Sequence, residues 1–140
     1  MIEKTILRYL GFLIEEYHLK YDYSIFEEYL GTNATLQTFT FYNNNGCFVV
    51  HDVPVKGELR FIYLSNINLL GQYAKKPSSV KNSVIDVRLI EKEIWEKHEK
   101  ILFFNNPFFW WDKKKVLCAL QEIIRIQIEK TGMFFGIKVV

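Results

Sequence analysis

The chain has 140 residues, 49% of them hydrophobic and 16% aromatic, with three prolines and seven glycines; this is the make-up of one compact core and argues against long disorder. A formal charge of +2 at pH 7 is too slight to imply nucleic acid by itself. The charge is unevenly spread, since residues 1–70 carry five Lys or Arg against eight Asp or Glu (net −3) and residues 71–140 carry thirteen against eight (net +5). Either the halves form an acidic side and a basic side, or the surplus is scattered over solvated faces.

Met1-Ile2-Glu3-Lys4 opens an amphipathic helix and lacks the basic region, apolar run and small-residue cleavage site of a signal peptide. No apolar stretch approaches the roughly 18 residues needed to cross a bilayer. A single domain over 1–140 in the cytoplasm is expected, with Cys47 and Cys118 as reduced thiols.

In chain order, Ile2, Ile6, Leu10, Leu13 and Tyr17 share one face, with Lys4, Arg8 and Glu15 opposite, and predict a surface helix over about residues 2–18. Gly11 lies off the apolar face, where it allows a close approach or a mild bend. His18 to Leu30 mixes aromatic and acidic residues and permits a short strand or a turn of helix. Gln37 to Phe41 alternates, which predicts a strand with Phe39 and Phe41 inward and Thr38 and Thr40 outward. Asn43-Asn44-Asn45-Gly46 is a turn, because Asn and Gly tolerate positive φ. Cys47 to His51 returns antiparallel, Val53 to Gly57 reverses again, and Glu58 to Leu64 is a third strand. One face of this meander, with Phe39, Phe41, Val49, Phe61 and Tyr63, requires a cover of helices.

Ile67 to Leu70 is a short apolar patch before the loop-like Lys75-Lys76-Pro77-Ser78-Ser79. Asp86 is placed to cap a helix carrying Ile90, Ile94, His98 and Ile101 on one face. Phe103 to Lys115 holds the densest aromatic run; Pro107 blocks a helix entering from the left, and Asp112 suits the start of a new one. Lys113, Lys114 and Lys115 then sit at the wrong end of that helix for its dipole, so their charges are solvated or reserved for something acidic. Val116, Leu117, Leu120, Ile123, Ile124 and Ile128 occupy one arc about 140° wide, and Thr131-Gly132 supplies a stop. Phe134 to Val140 reads as a terminal strand at an edge of the meander. The expected fold is α+β: an antiparallel meander of about four strands packed against N-terminal and C-terminal amphipathic helices.

No catalytic constellation is written in the chain. His51 and Asp52 are neighbours on a strand and face opposite ways, so a cross-strand or turn role outweighs a dyad. His98 reads as a structural histidine, His18 closes the first helix, and Cys118 reads as a buried thiol whose use as a nucleophile needs His51 or His98 brought close in space. Phosphate loops of the Gly-x-Gly-x-x-Gly or Gly-x-x-x-x-Gly-Lys type are absent, and so is metal-ligand spacing. No enzyme activity, cofactor or metal is expected.

Two surface candidates remain. Glu15, Glu16, Asp22, Glu27 and Glu28, interleaved with Tyr17, Tyr21, Tyr23 and Tyr29, combine carboxylates with rigid amphipathic rings of the kind enriched at protein interfaces. Trp110, Trp111, Lys113, Lys114 and Lys115 combine rings and cations as single-stranded nucleic-acid binders do. The order of elements, with Phe39-Thr40-Phe41-Tyr42-Asn43, Gly46-Cys47-Phe48, Ile94-Trp95, Pro107-Phe108-Phe109-Trp110-Trp111 and Phe134-Phe135-Gly136-Ile137-Lys138, resembles small immunity proteins encoded beside polymorphic toxins in Gram-positive bacteria. The resemblance implies a cytoplasmic, non-catalytic antitoxin that occupies or distorts the active site of a cognate protein toxin, such as a nuclease, without membrane or cofactor. A basic toxin would fit the partner-binding set Glu15, Glu16, Tyr21, Asp22, Tyr23, Glu27 and Glu28; the aromatic and lysine patch is the alternative, a small nucleic-acid-binding module.

Overall fold

A computed structural model of the chain describes residues 2–26, 36–53, 58–75, 96 and 113–140. The N-terminal periodicity produces two helices, α1 (Ile2–Leu10) and α2 (Phe12–Glu15), which bury Ile6, Leu10 and Leu13 completely. Gly11 joins them and donates its N–H to the Leu7 carbonyl at 2.8 Å. A Cβ at this position would run into that same carbonyl oxygen, so the junction requires glycine. After α2 the chain reverses through His18, which has φ 59°, and Leu19 donates back to the Leu13 carbonyl at 3.0 Å.

Four strands follow: β1 (Lys20–Phe26), β2 (Leu36–Asn43), β3 (Gly46–Val53) and β4 (Glu58–Leu64), in an antiparallel sheet of order β1-β2-β3-β4. The α+β meander with N- and C-terminal helices is therefore present, with one strand from an unexpected source. The ambiguous stretch after His18 forms β1, pairing Tyr21 with Phe41 and Tyr23 with Phe39. The C-terminal segment does not join the sheet. It folds on itself as β5 (Met133–Phe134) and β6 (Ile137–Lys138), turning through Phe135 and Gly136, both at positive φ. Asn43 and Asn45 side-chain amides tie it to the β2–β3 turn by donating to the Lys138 carbonyl at 2.9 and 3.0 Å.

A second difference concerns the faces. Phe39, Phe41, Phe48 and Val50 point to one face, beneath α1 and the long helix α4 (Lys113–Thr131). Thr38 and Thr40, expected to be outward, are fully buried on the other face, where Val49 also lies, packed with Cys47, Ile62, Leu64 and with Leu70 and Tyr73 of α3 (Leu70–Lys75). Other elements pack on both faces of β2 and β3, so alternation along them reports side-chain chemistry without reporting exposure. A 3₁₀ turn, Ile67–Leu69, leads into α3; the Asn66 side chain caps it by accepting from the Asn68 N–H at 2.9 Å.

Helix α4 buries the expected arc: Val116, Leu117, Leu120, Ile123, Ile124 and Ile128 are all inside. It ends at Gly132, whose N–H still bonds the Ile128 carbonyl at 2.8 Å and whose left-handed φ of 72° then turns the chain out of the helix. Phe134 and Phe135 then pack on Phe48, at ring separations of 5.8 and 5.5 Å. The reversal through Pro54, the loop from Lys76, the helix expected after Asp86 with His98 apart from the helical residue Glu96, and the run from Phe103 through Asp112 lie outside the described residues.

Candidate interaction surface

The partner-binding set falls on two adjoining elements. Glu15 and Glu16 stand exposed at the end of α2, and Tyr21, Asp22 and Tyr23 lie on β1; Glu27 and Glu28 lie outside the described residues. Glu16 is not idle: its carboxylate accepts from Arg125 Nη1 at 2.8 Å, and the same guanidinium sits 4.1 Å from the centre of the Phe12 ring. Both partners of this pair are well exposed, with 40% and 51% of their side-chain surface accessible, so it positions the charges and contributes little stability.

Strand β1 is an edge strand of the sheet, and the orientation of its backbone follows from register. Asn44 and Asn45 form a two-residue turn closed by the Asn43–Gly46 pair, which is a bonded pair. Bonded and non-bonded pairs alternate along an antiparallel ladder. Counting back, Tyr42, Thr40 and Thr38 aim their peptide groups at β1, where their partners are Lys20, Asp22 and Ser24. Tyr21, Tyr23 and Ile25 accordingly direct their N–H and C=O groups away from the sheet.

The side chains of those three residues sit on the same face as α1. Tyr21 is half-buried, its ring 5.3 Å from that of Phe41, and its hydroxyl donates to Glu3 of α1 at 3.0 Å. Burial, then the bond to Glu3 and that carboxylate's charge, raise the Tyr21 phenol well above the usual range, so it stays a neutral donor. The Tyr23 ring lies 5.2 Å from Phe39 yet remains 37% exposed, and Ile25 is 53% exposed. Among the described residues the exposed large hydrophobics are Tyr23, Ile25, Met133 and Val140; two of these are adjacent along one face of β1. Asp22 and Lys20 are exposed on the opposite face. Sequence reading singled out the tyrosines and Asp22 but not Ile25 or Glu3. The signal for Ile25 was the alternation Tyr21, Tyr23, Ile25; none existed for Glu3, whose role depends on how α1 crosses the sheet.

The aromatic and lysine set is divided. Lys113 donates to Asp52 Oδ1 at 2.6 Å, with the carboxylate side chain only 7% exposed. The acidic group for which a lysine at this helix start was reserved is thus inside the protein. Lys114 and Lys115 are exposed, and Trp110 and Trp111 lie outside the described residues.

The groups considered for chemistry are separated by the sheet. His51 is buried, shares a 2.9 Å hydrogen bond between Nδ1 and Thr38 Oγ1, and stacks on Tyr73 at 5.5 Å. Thr38 is its cross-strand neighbour, which is the role expected for it. Asp52, next in sequence, faces the other way toward Lys113. Cys118 is exposed, contrary to expectation: one step of about 100° from Leu117 carries it off the inner arc of α4. That helix covers the face opposite to the one holding His51, so the two do not form a site. Cys47 is buried and its thiol is pushed up to about 12 by desolvation, which keeps it protonated and unreactive. Among the described residues, no group of three or more His, Cys, Asp or Glu is placed to hold a metal, and no helix is long and apolar enough to cross a membrane.

Comparison of the chain with protein-family models, with curated proteins and with solved structures gives no match.

Proposed function

We propose that this protein is a non-catalytic binding protein of the immunity type, which neutralises a cognate toxin in the cytoplasm by holding it on the surface formed by β1 and the end of α2. The observation that carries this reading is the pairing of Tyr23 and Ile25, exposed side by side on an edge strand, with the carboxylate of Asp22 exposed on the same strand and those of Glu15 and Glu16 exposed just before it in the chain. Rigid rings and an exposed aliphatic side chain supply contact area at low entropic cost, and the carboxylates would steer a basic nuclease-type partner into place. The nucleic-acid alternative is less well supported, because one of its three lysines is committed to Asp52.

Coexpression with the protein encoded in the adjacent reading frame tests the reading. A stable complex is expected. Combined Glu15→Lys, Glu16→Lys and Asp22→Lys should slow association about tenfold or more at low salt and flatten its salt dependence. Unchanged association and salt dependence would sink this assignment of the surface, and tight oligonucleotide binding with a steep salt slope would favour the alternative.

A further inference from the structure

We infer that Asn45 is a site of spontaneous chemical modification: its side-chain amide cyclises onto the backbone of Gly46 and is hydrolysed to an acid, and the change unfastens the C-terminal hairpin from the sheet. Nothing in this chemistry depends on the binding reading above. Asn45-Gly46 is the single Asn-Gly step in the chain. Asparagine is among the thermally labile residues, and it is most labile before glycine, which has no Cβ to crowd the closing ring.

Asn45 is exposed at the tip of the β2–β3 turn, open to the water and hydroxide that the reaction consumes. The attacking atom is held back, because in the bonded Asn43–Gly46 pair the Gly46 N–H donates to the Asn43 carbonyl. Asn45 itself is held on two sides: Nδ2 donates to the Lys138 carbonyl at 3.0 Å, and the backbone N–H donates to Asn43 Oδ1 at 2.7 Å. Cyclisation therefore waits on a local opening of the turn. Openings at exposed loop tips are among the least costly that a fold makes.

In the open turn the Gly46 nitrogen, its proton removed by hydroxide, bonds to Asn45 Cγ; the Cγ–Nδ2 bond breaks and ammonia leaves, taking a proton from water. Water then opens the cyclic imide at either carbonyl. The product at position 45 is aspartate or, with the chain rerouted through Cγ, isoaspartate. No electron is transferred. The product has lost the donor that met Lys138 and sets a carboxylate against that carbonyl, acceptor against acceptor; isoaspartate also lengthens the backbone of a tight turn. Of the two side-chain amides on the Lys138 carbonyl, that of Asn43 alone remains. The segment so loosened is the β5–β6 hairpin, which carries Phe134 and Phe135 onto Phe48.

The test incubates the full chain in mildly alkaline buffer, native and unfolded in urea, and follows position 45 by peptide mass spectrometry. The native chain should be modified at Asn45 about tenfold more slowly than the unfolded chain, the effect of closing one or two hydrogen bonds. Asn43→Ala, which removes two of the restraints, should recover most of that difference. Asn45→Gln, whose ring would be larger, should resist in both states. Asn45→Asp reproduces the product without the reaction: exchange of the Val139 amide, which is bonded to the Gly132 carbonyl, should rise about tenfold while the amides of α4 stay unchanged. Equal rates in the native and unfolded chains, modification confined to other asparagines, or no gain in the native chain over a period that converts the unfolded one many times over would overturn the guarded site. Unchanged exchange at Val139 in Asn45→Asp, or a rise spread over α4 as well, would overturn the unfastening.

Discussion

The two faces of the sheet are buried by different means. Beneath α1 and α4 the face is aromatic and aliphatic: Phe39, Phe41, Phe48 and Val50 meet Ile6, Leu10, Leu117, Leu120 and Ile124. The opposite face interleaves Thr38, Thr40 and His51 with Cys47, Val49, Ile62 and Leu64, and the described cover over it is the short helix α3. The first face is stabilised chiefly by area removed from water, the second in part by whether each polar group finds a partner. Volume errors should therefore dominate on one side and hydrogen-bond errors on the other.

The largest expected effect lies on the aromatic face. Phe48 is fully buried, and three further rings, those of Phe61, Phe134 and Phe135, centre within 6.1 Å of it. Phe48→Ala should cost about 3–5 kcal/mol by losing transfer energy and leaving a cavity. Urea denaturation measures this directly, and a loss under 1 kcal/mol would mean that the face collapses to fill the gap or is loosely packed. A smaller effect is expected at the margin of the same face, where Lys113→Ala leaves the nearly buried Asp52 carboxylate without its ammonium. A cost of about 2 kcal/mol follows, reduced from that of a fully buried pair because Lys113 is partly solvated; a double-mutant cycle with Asp52→Ala should recover a coupling of similar sign.

The polar face predicts a sign difference between two neighbours. Thr38→Val removes the hydroxyl bonded to His51 and should destabilise by about 1 kcal/mol. The Thr40 hydroxyl is buried and finds no hydrogen-bond partner among the described residues, so Thr40→Val should stabilise by about 1 kcal/mol. Equal effects of the two substitutions would break the distinction between a satisfied and an unsatisfied hydroxyl on this face. They would also show that the two faces differ less than their chemistry suggests.

Much of this was legible along the chain. The 3.6-residue spacing from Val116 to Ile128 defined α4 and its inner arc, the Asn43–Gly46 run defined the β2–β3 turn, and Gly132 defined the end of the helix. The candidate surface was half legible: Tyr21, Asp22 and Tyr23 stood out by chemistry, while their membership of an edge strand did not. Alternation in β1 has little contrast, because one of its faces carries Lys20 and Asp22 and the other carries rings that remain partly wet. Conversely, Phe134 to Val140 has the composition of a strand, but the turn at Phe135-Gly136 folds it into a two-residue hairpin.

By itself the amino-acid order determined the helical arcs, the hairpin turn and the three strands from Leu36 to Leu64, because each depends on residues within a few positions of one another. Tertiary structure alone decided which segment became the fourth strand, that Thr38 and Thr40 would be buried, and that Lys113 would meet Asp52 across 61 positions. Strand pairing and the covering of a face are settled by distant partners, and no periodicity within one segment records which partner arrives.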